Sequence, residues 1–244
     1  MLFNTTAIVL NWNNLNVSKD SVRRLKREVP VIVVDNGSTD GSVEYFSAFD
    51  DITFINLGKN TGNCVARNKA LDMVKTSYFF LLDGDILYVP DSIKYLLEVI
   101  EKNPNAGIVG VHNDNNVREF GFNGVPIESM ADIKARPPMK VFKGFPMAWT
   151  QYGIFRNTGQ RFIEKPPFDT AGHGYEDDWW FREMKEKELD SYFITHPHYF
   201  HDAHSGKREL AKVDLPTREE ERAKAYHDKW GDSWLSRNFT IEEV

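Results

Sequence analysis

The chain has 244 residues, 41% apolar and 27% charged, with 16 Gly and 11 Pro. This suits a sizeable packed core and excludes collagen-like and low-complexity chains. The formal charge of −6 argues against a broad non-specific nucleic-acid footprint, which needs clustered Lys and Arg.

The single cysteine, Cys64, excludes an intramolecular disulfide framework and a multi-cysteine zinc site. It favours a reducing, cytoplasmic setting. No window approaches 18 uninterrupted apolar residues, so no integral membrane segment is expected, and any membrane association would be peripheral. The N-terminus lacks a basic region and a cleavage site and reads as a first strand, not a signal peptide.

Apolar runs fall at Ala7–Leu10, Val31–Val34, Phe54–Leu57, Tyr78–Leu82 and Ile108–Val111, with starts 24, 23, 24 and 30 residues apart. Helical periodicity fills Val17–Glu28, Asn63–Val74 and Asp91–Glu101 between them. Short apolar strands alternating with such helices predict βαβ units on a parallel sheet buried on both faces. Asp40 or Thr39 can cap the helix after the second strand, and Asn63 the helix after the third. Pro90 and Asp91 open the next helix, and Asn103-Pro104 stop it.

The second half changes character. Residues 113–145 are rich in Gly, Pro and Asn. Beyond them the sequence predicts a strand over Met147–Phe155, a loop over Thr158–Gly174, a helix over Glu176–Glu188 and a strand over Ser191–Thr195. A charged amphipathic helix over Arg218–Trp230 ends at Gly231. The reading is one α/β domain over 1–244, a mostly parallel sheet flanked by helices, with a regular half at 1–112 and a divergent half at 113–244.

In open α/β sheets, ligands bind beyond the carboxyl ends of the strands. Here those ends carry Asn11-Trp12-Asn13-Asn14, Asp35-Asn36-Gly37-Ser38, Gly58-Lys59-Asn60-Thr61-Gly62 and Asp83-Gly84-Asp85. No G-x-G-x-x-G follows the first strand and no P-loop is present.

Two carboxylates at the end of the apolar strand Phe79-Phe80-Leu81-Leu82 cannot be cheaply buried unpaired. Asp83 and Asp85 suit Mg²⁺ or Mn²⁺ bound together with a phosphate; the alternative is an exposed turn. Asp35 can accept from a nucleobase edge or start an Asx-turn. Arg67, early in the third helix with Asn68, can reach a diphosphate, hold the metal-site carboxylates or form a surface salt bridge.

A second acidic cluster, Glu176-Asp177-Asp178, follows Gly172, Gly174 and Tyr175 and precedes Trp179-Trp180. Acids at a helix start complement its dipole. With glycines before and tryptophans after, one of them could also serve as a general base toward a hydroxyl beside a sugar platform. Trp149 is a further aromatic for such a platform. Four histidines, His196, His198, His201 and His204, lie within nine residues, and one of them could complete the Asp85 metal site. Lys134, Arg136, Lys140 and Lys143 form a modest basic patch or a solvated face.

These motifs resemble family 2 glycosyltransferases of the GT-A fold. The similar stretches are Ala7–Asn13, Val31–Ser42, Asn60–Asn63 with Ala66-Arg67-Asn68, and Leu81–Asp85, which matches the family's D-x-D motif. Gly174–Asp178 resembles its E-D motif and Lys229-Trp230-Gly231 its C-terminal tail.

The resemblance implies a metal-dependent inverting transferase using a nucleotide-sugar. Residues 1–112 would bind the donor through Asn11, Trp12, Asn13, Asp35, Asn36, Gly37, Asn60, Arg67, Asp83 and Gly84. Asp35 would meet the nucleobase, Asp83 the ribose or metal, and Asp85 would ligate Mn²⁺ or Mg²⁺, with His201 or else His204 as a downstream ligand. Asp177 would be the base, with Glu176 or Asp178 holding the acceptor.

Residues 113–244 would bind the acceptor, with Trp149, Gly174, Tyr175 and Trp179 at its sugar. The G-x-G-x-E-D-D run resembles a stretch in galactosyl- and N-acetylgalactosaminyl-transferases and favours a UDP-sugar. The acceptor stays open among a glycan, a lipid-linked sugar, a protein and a modified nucleic-acid base.

A sugar-1-phosphate nucleotidyltransferase would want a Gly-rich basic loop where Asn11–Asn14 stands. A glycoside hydrolase would need carboxylates flanking the scissile bond, which adjacent Glu176 and Asp177 cannot easily do. A non-catalytic sugar- or nucleotide-binding module would not need Asp83, Asp85 and Asp177 together.

Overall fold

A computed structural model describes residues 4–111, 140–144, 151–164, 176–194, 200–201, 224–225, 227–229 and 242–244. The first half alternates as the periodicity predicts: β1 (Thr5–Asn11), α1 (Leu15–Leu25), β2 (Val31–Asp35), α2 (Ser42–Ser47), β3 (Thr53–Asn56), α3 (Asn63–Leu71) and β4 (Tyr78–Asp83). Then come β5 (Ile86–Leu87), α4 (Ser92–Lys102) and β6 (Ala106–Val111). The second half contributes β7 (Val141–Lys143), β8 (Tyr152–Arg156), α5 (Glu176–Glu186), β9 (Asp190–Ile194), β10 (Phe200–His201) and β11 (Glu242–Glu243). Residues 224–225 and 227–229 are helical, inside the predicted C-terminal helix.

The main sheet has the order β11-β7-β9-β6-β8-β4-β1-β2-β3, and β5 pairs with β10 in a separate two-stranded ribbon. Among the described residues, only β7 and β8 run against the other strands of the main sheet. As the sequence rhythm predicts, β6 runs parallel to β4, but the two are not neighbours. β8 inserts between them, antiparallel to both, pairing Phe80 with Ile154 and Val109 with Ile154.

Strand alternation builds two cores. Ala7, Val9, Val31, Val33, Phe80 and Leu82 face α1 and α4, meeting Val22, Leu25, Ile93, Leu96 and Ile100. Ile8, Leu10, Ile32, Val34, Phe79 and Leu81 face α3 and α5, meeting Ala66, Ala70, Trp180, Phe181 and Met184. Burying each larger apolar side chain contributes about 1.5–3 kcal/mol, so both faces of the sheet hold the strand ends in place.

The helix starts differ from the sequence expectation in their caps. Gly62 (φ 85°), not Asn63, caps α3, because the chain enters that helix through a backbone conformation that only glycine adopts cheaply. Gly41 (φ 88°) caps α2 for the same reason. The Asp40 carboxylate beside it accepts from the Ser42 amide (3.1 Å) and the Leu15 amide (2.8 Å), tying the starts of α1 and α2 together. Among the described residues, no helix is long and apolar enough to cross a membrane.

Candidate active site

The chain runs β1, β2, β3 outward to one side, then returns to place β4 on the other side of β1. This reversal opens a crevice beyond the carboxyl ends of β1 and β4, where open α/β sheets bind their ligands. Asn11 ends β1 and Asp83 ends β4, so both lie at its mouth.

The loops around the crevice are sewn together by short polar side chains. Asn11 Nδ2 donates to Asp35 Oδ2 (2.9 Å) and Ser38 Oγ (3.2 Å). Asp35 Oδ1 accepts from the Gly37 and Ser38 amides (3.1 and 2.8 Å). The Asp35 carboxylate is buried and holds its own Asx-turn, one of the two roles open to it from sequence.

Asn13, at φ 55°, accepts from the Thr39 amide (2.7 Å), and its own amide donates to Ser38 Oγ (2.9 Å). Neighbouring Trp12 is half-buried. Asn36 Oδ1 accepts from the Thr61 amide (2.8 Å), and Asn36 Nδ2 donates to Asn60 Oδ1 (3.1 Å). Gly37 sits at φ +86°, and a Cβ there would lie 2.5 Å from the Lys59 backbone, so the loops after β2 and β3 touch main chain to main chain.

The Asp83-Gly84-Asp85 turn is pinned to β1. The Gly84 amide donates to the Leu10 carbonyl (2.8 Å), and a Cβ on Gly84 would approach that oxygen to 2.9 Å. Arg67, projecting from α3, is buried; its Nη2 donates to Asp83 Oδ1 (3.1 Å), while Nη1 lies 3.6 Å from Asp177 Oδ1. Of the three roles open to Arg67, the structure has it holding carboxylates rather than forming a surface bridge. Its guanidinium also lies over the Phe162 ring (5.0 Å), which stacks on Trp180 (4.3 Å).

Burial pushes the Asp83 carboxyl above its ordinary range; Arg67 pulls it part of the way back, and the nearby Asp85 carboxylate adds to the rise. This donor set, two carboxylates at one strand end, fits a hard divalent cation completed by water and substrate oxygens. Among the described residues no three His, Cys, Asp or Glu side chains gather as a metal cage. β10 runs antiparallel to β5 with His201 opposite Ile86, one residue past Asp85.

Asp177 stands in the first turn of α5, about one-third exposed. Trp179, two residues on, turns to a different cluster: its Nε1 donates to Glu183 (2.8 Å) and Lys229 Nζ lies over its ring (4.2 Å). Trp179, Glu183 and Lys229 line a cavity of about 510 Å³ with Asn68, Asp72, Arg161 and Glu164. Asn68 had no role assigned from sequence. It clamps this wall, donating to the Phe162 carbonyl (2.8 Å) and Glu164 (2.7 Å) and accepting from the Phe162 amide (2.8 Å). Only its place beside Arg67 hinted at this, because its partner lies 94 residues away.

Trp149, Gly174, Tyr175 and His204 lie outside the described residues, as do the side chains of Glu176, Asp178 and His201. Within the basic patch, Lys140 meets Glu243 (3.0 Å) and Lys143 meets Asp190 (2.9 Å), so these two amines face acids. Lys134 and Arg136 lie outside the described residues.

Residues 6–161 match the family described as Glycosyl transferase family 2. Among curated proteins, the chain is 31% identical over 85 residues to a poly-beta-1,6-N-acetyl-D-glucosamine synthase of Staphylococcus epidermidis, a match covering 34% of this chain and 21% of the relative. The matched stretch is thus about a fifth of that relative's length.

Among solved structures, the fold is similar to the mannosyltransferase PcManGT from Pyrobaculum calidifontis in complex with GDP-Man and Mn²⁺ (TM-score 0.57, 15% identity, 93% of this chain and 70% of that one). It is also similar to S. aureus TarS 1–349 in complex with UDP (TM-score 0.54, 15% identity, 95% of this chain and 73% of that one). With the family match spanning well over half of the chain and the GT-A arrangement of its strands, this chain belongs to glycosyl transferase family 2.

Proposed function

We propose that the protein is a metal-dependent inverting glycosyltransferase. It takes a sugar from a nucleotide-diphospho-sugar, UDP-sugars being favoured, and places it on an acceptor hydroxyl by direct displacement. The observation that carries this reading is the shared guanidinium of Arg67, which sets a donor-side carboxylate, Asp83, and a base candidate, Asp177, on either side of one buried cation.

In this account Asp177 takes the proton of the acceptor hydroxyl, and Glu176 or Asp178 holds that acceptor. The acceptor oxygen attacks the anomeric carbon from the face opposite the diphosphate, the C1–O bond to phosphate breaks, and the nucleoside diphosphate departs with the electron pair. Attack from the opposite face inverts the anomeric centre, and the carbon passes through oxocarbenium character. Asp83 and Asp85 would hold Mn²⁺ or Mg²⁺, with His201 or else His204 as a further ligand. When bound, that cation neutralises charge on the leaving diphosphate.

Asp35, Asn36, Gly37, Asn60, Asn11, Trp12, Asn13 and Gly84 form the nucleotide side of the site. Trp149, Gly174, Tyr175 and Trp179 form the sugar and acceptor side. The acceptor is a hydroxyl of a glycan, a lipid-linked sugar, a protein or a modified nucleic-acid base. A single buried free cysteine supports a reducing, cytoplasmic setting for the reaction, with any membrane contact peripheral.

The test is donor hydrolysis and transfer with purified protein, using UDP-N-acetylglucosamine, other UDP-sugars and GDP-mannose, each with and without Mn²⁺. The GDP-Man and UDP bound in the two structural neighbours put GDP-mannose and UDP-sugars first. Metal-dependent release of one nucleotide, with a product of inverted anomeric configuration by NMR, supports the reading. Metal-independent transfer or retained configuration contradicts it.

A further inference from the structure

The two-residue strand β5 directly follows the Asp83-Gly84-Asp85 turn. Such a strand has few ladder bonds with which to hold a position, and helix α1 supplies others. Ser21 Oγ donates to the Ile86 carbonyl (2.9 Å) and accepts from the Tyr88 amide (2.9 Å). Arg24 Nη1 donates to the Tyr88 carbonyl (2.9 Å). Glu28, in the turn that ends α1, accepts from the Tyr88 hydroxyl (2.7 Å) and the Asp91 amide (3.1 Å).

Ser21 and Arg24 stand three residues apart, so they share one helix face. Ser21 is fully buried, and its hydroxyl spends its donor on Ile86 and an acceptor site on Tyr88, 65 and 67 residues away. Serine is an indifferent helix former, so packing alone gives no reason for it there. On its other edge β5 carries β10, with His201 opposite Ile86. The upstream end of the turn is fixed separately, by the Gly84 amide on the Leu10 carbonyl.

We propose that Ser21, Arg24 and Glu28 are positioning residues for the metal-binding turn. They hold β5 in place, and through it both Asp85, which immediately precedes the strand, and His201, which pairs against it. The inference rests on the proposed metal-dependent function. None of the three residues needs to touch substrate.

The test is calorimetric titration of Mn²⁺ into the full chain with saturating UDP, alongside the melting temperature of the unliganded protein. Ser21→Ala is compared with Val99→Ala, a core truncation in α4 that also lowers the melting temperature. Removing the Ser21 bonds is expected to weaken Mn²⁺ binding by about three- to tenfold, the worth of one hydrogen bond. Val99→Ala should leave the affinity unchanged. Arg24→Ala, at a part-exposed site, gives the same readout should Ser21→Ala fail to fold. Wild-type binding equalled by both Ser21→Ala and Arg24→Ala overturns the positioning role alone. Absence of Mn²⁺ binding by the wild type overturns the proposed metal dependence, and this role with it.

Discussion

Asp83 and Asp177, one on a strand end and one on a helix start, share a single buried cation. Arg67 lies 3.1 Å from the first and 3.6 Å from the second. Ninety-four residues of chain separate the two acids, yet one guanidinium fork sets the distance between them. Arginine suits this because it stays charged and presents several donors in one plane.

Arg67→Ala removes that cation and leaves two carboxylates facing each other. The loss is expected to be about 1–3 kcal/mol, below that of a fully buried pair because both acids are partly exposed. At about 2–4 °C per kcal/mol, the melting temperature should fall by several degrees. Arg67→Lys should recover little activity, because one ammonium cannot reach both carboxylates in the same geometry. Thermal melts and donor turnover of both variants check this; wild-type turnover in Arg67→Lys would show that the fork is not needed.

Asp177→Asn removes a proton acceptor and keeps the shape of the side chain. Transfer should drop by about 10²–10⁴-fold, the usual worth of a general base, while UDP affinity stays within about twofold. Equal losses in both would move Asp177 from the chemistry to donor binding.

Gly37→Ala asks for a side chain at φ +86° and within 2.5 Å of the Lys59 backbone. The combined strain and overlap should cost about 2–4 kcal/mol. Nucleotide affinity should fall with it, because the loops after β2 and β3 must part. An unchanged melting temperature would mean that these loops already separate in solution.

Burial raises the Glu28 carboxyl above its ordinary 4.5, and hydrogen bonds from the Tyr88 hydroxyl and the Asp91 amide only partly offset this. The folded state therefore takes up this proton more readily than the unfolded chain. Glu28 then favours folding increasingly as pH falls from neutral through its raised value to 4.5. The melting temperature of the wild type should gain on that of Glu28→Gln over this span and level off below it. A difference that shrinks on acidification contradicts the assignment.

Much of the first half was legible in the sequence because its signals are local. The apolar runs and helical periods located β1, β2, β4, α3 and α4 to within a few residues, and the strand ends named the Asp83-Gly84-Asp85 turn. The rest depends on partners far along the chain. Nothing in Tyr152–Arg156 announces that it slips between β4 and β6. The clamp of Asn68 on Phe162 and the bond of Ser21 to Ile86 each join residues more than 60 positions apart. The cap positions of α2 and α3 fall on Gly41 and Gly62, beside Asp40 and Asn63, because of a positive φ that is invisible in composition.

The central claim, that the crevice at β1 and β4 holds a nucleotide together with a divalent cation, is tested most directly by melting the wild-type protein with UDP, GDP, dTDP and CMP, each with and without Mn²⁺. A ligand at a hundred times its Kd stabilises by about 2.7 kcal/mol, a rise of about 5–10 °C for a domain of this size. Such a rise is expected for one nucleotide, UDP first, and only when Mn²⁺ is present. No shift with any nucleotide, or a shift indifferent to the metal, would contradict it.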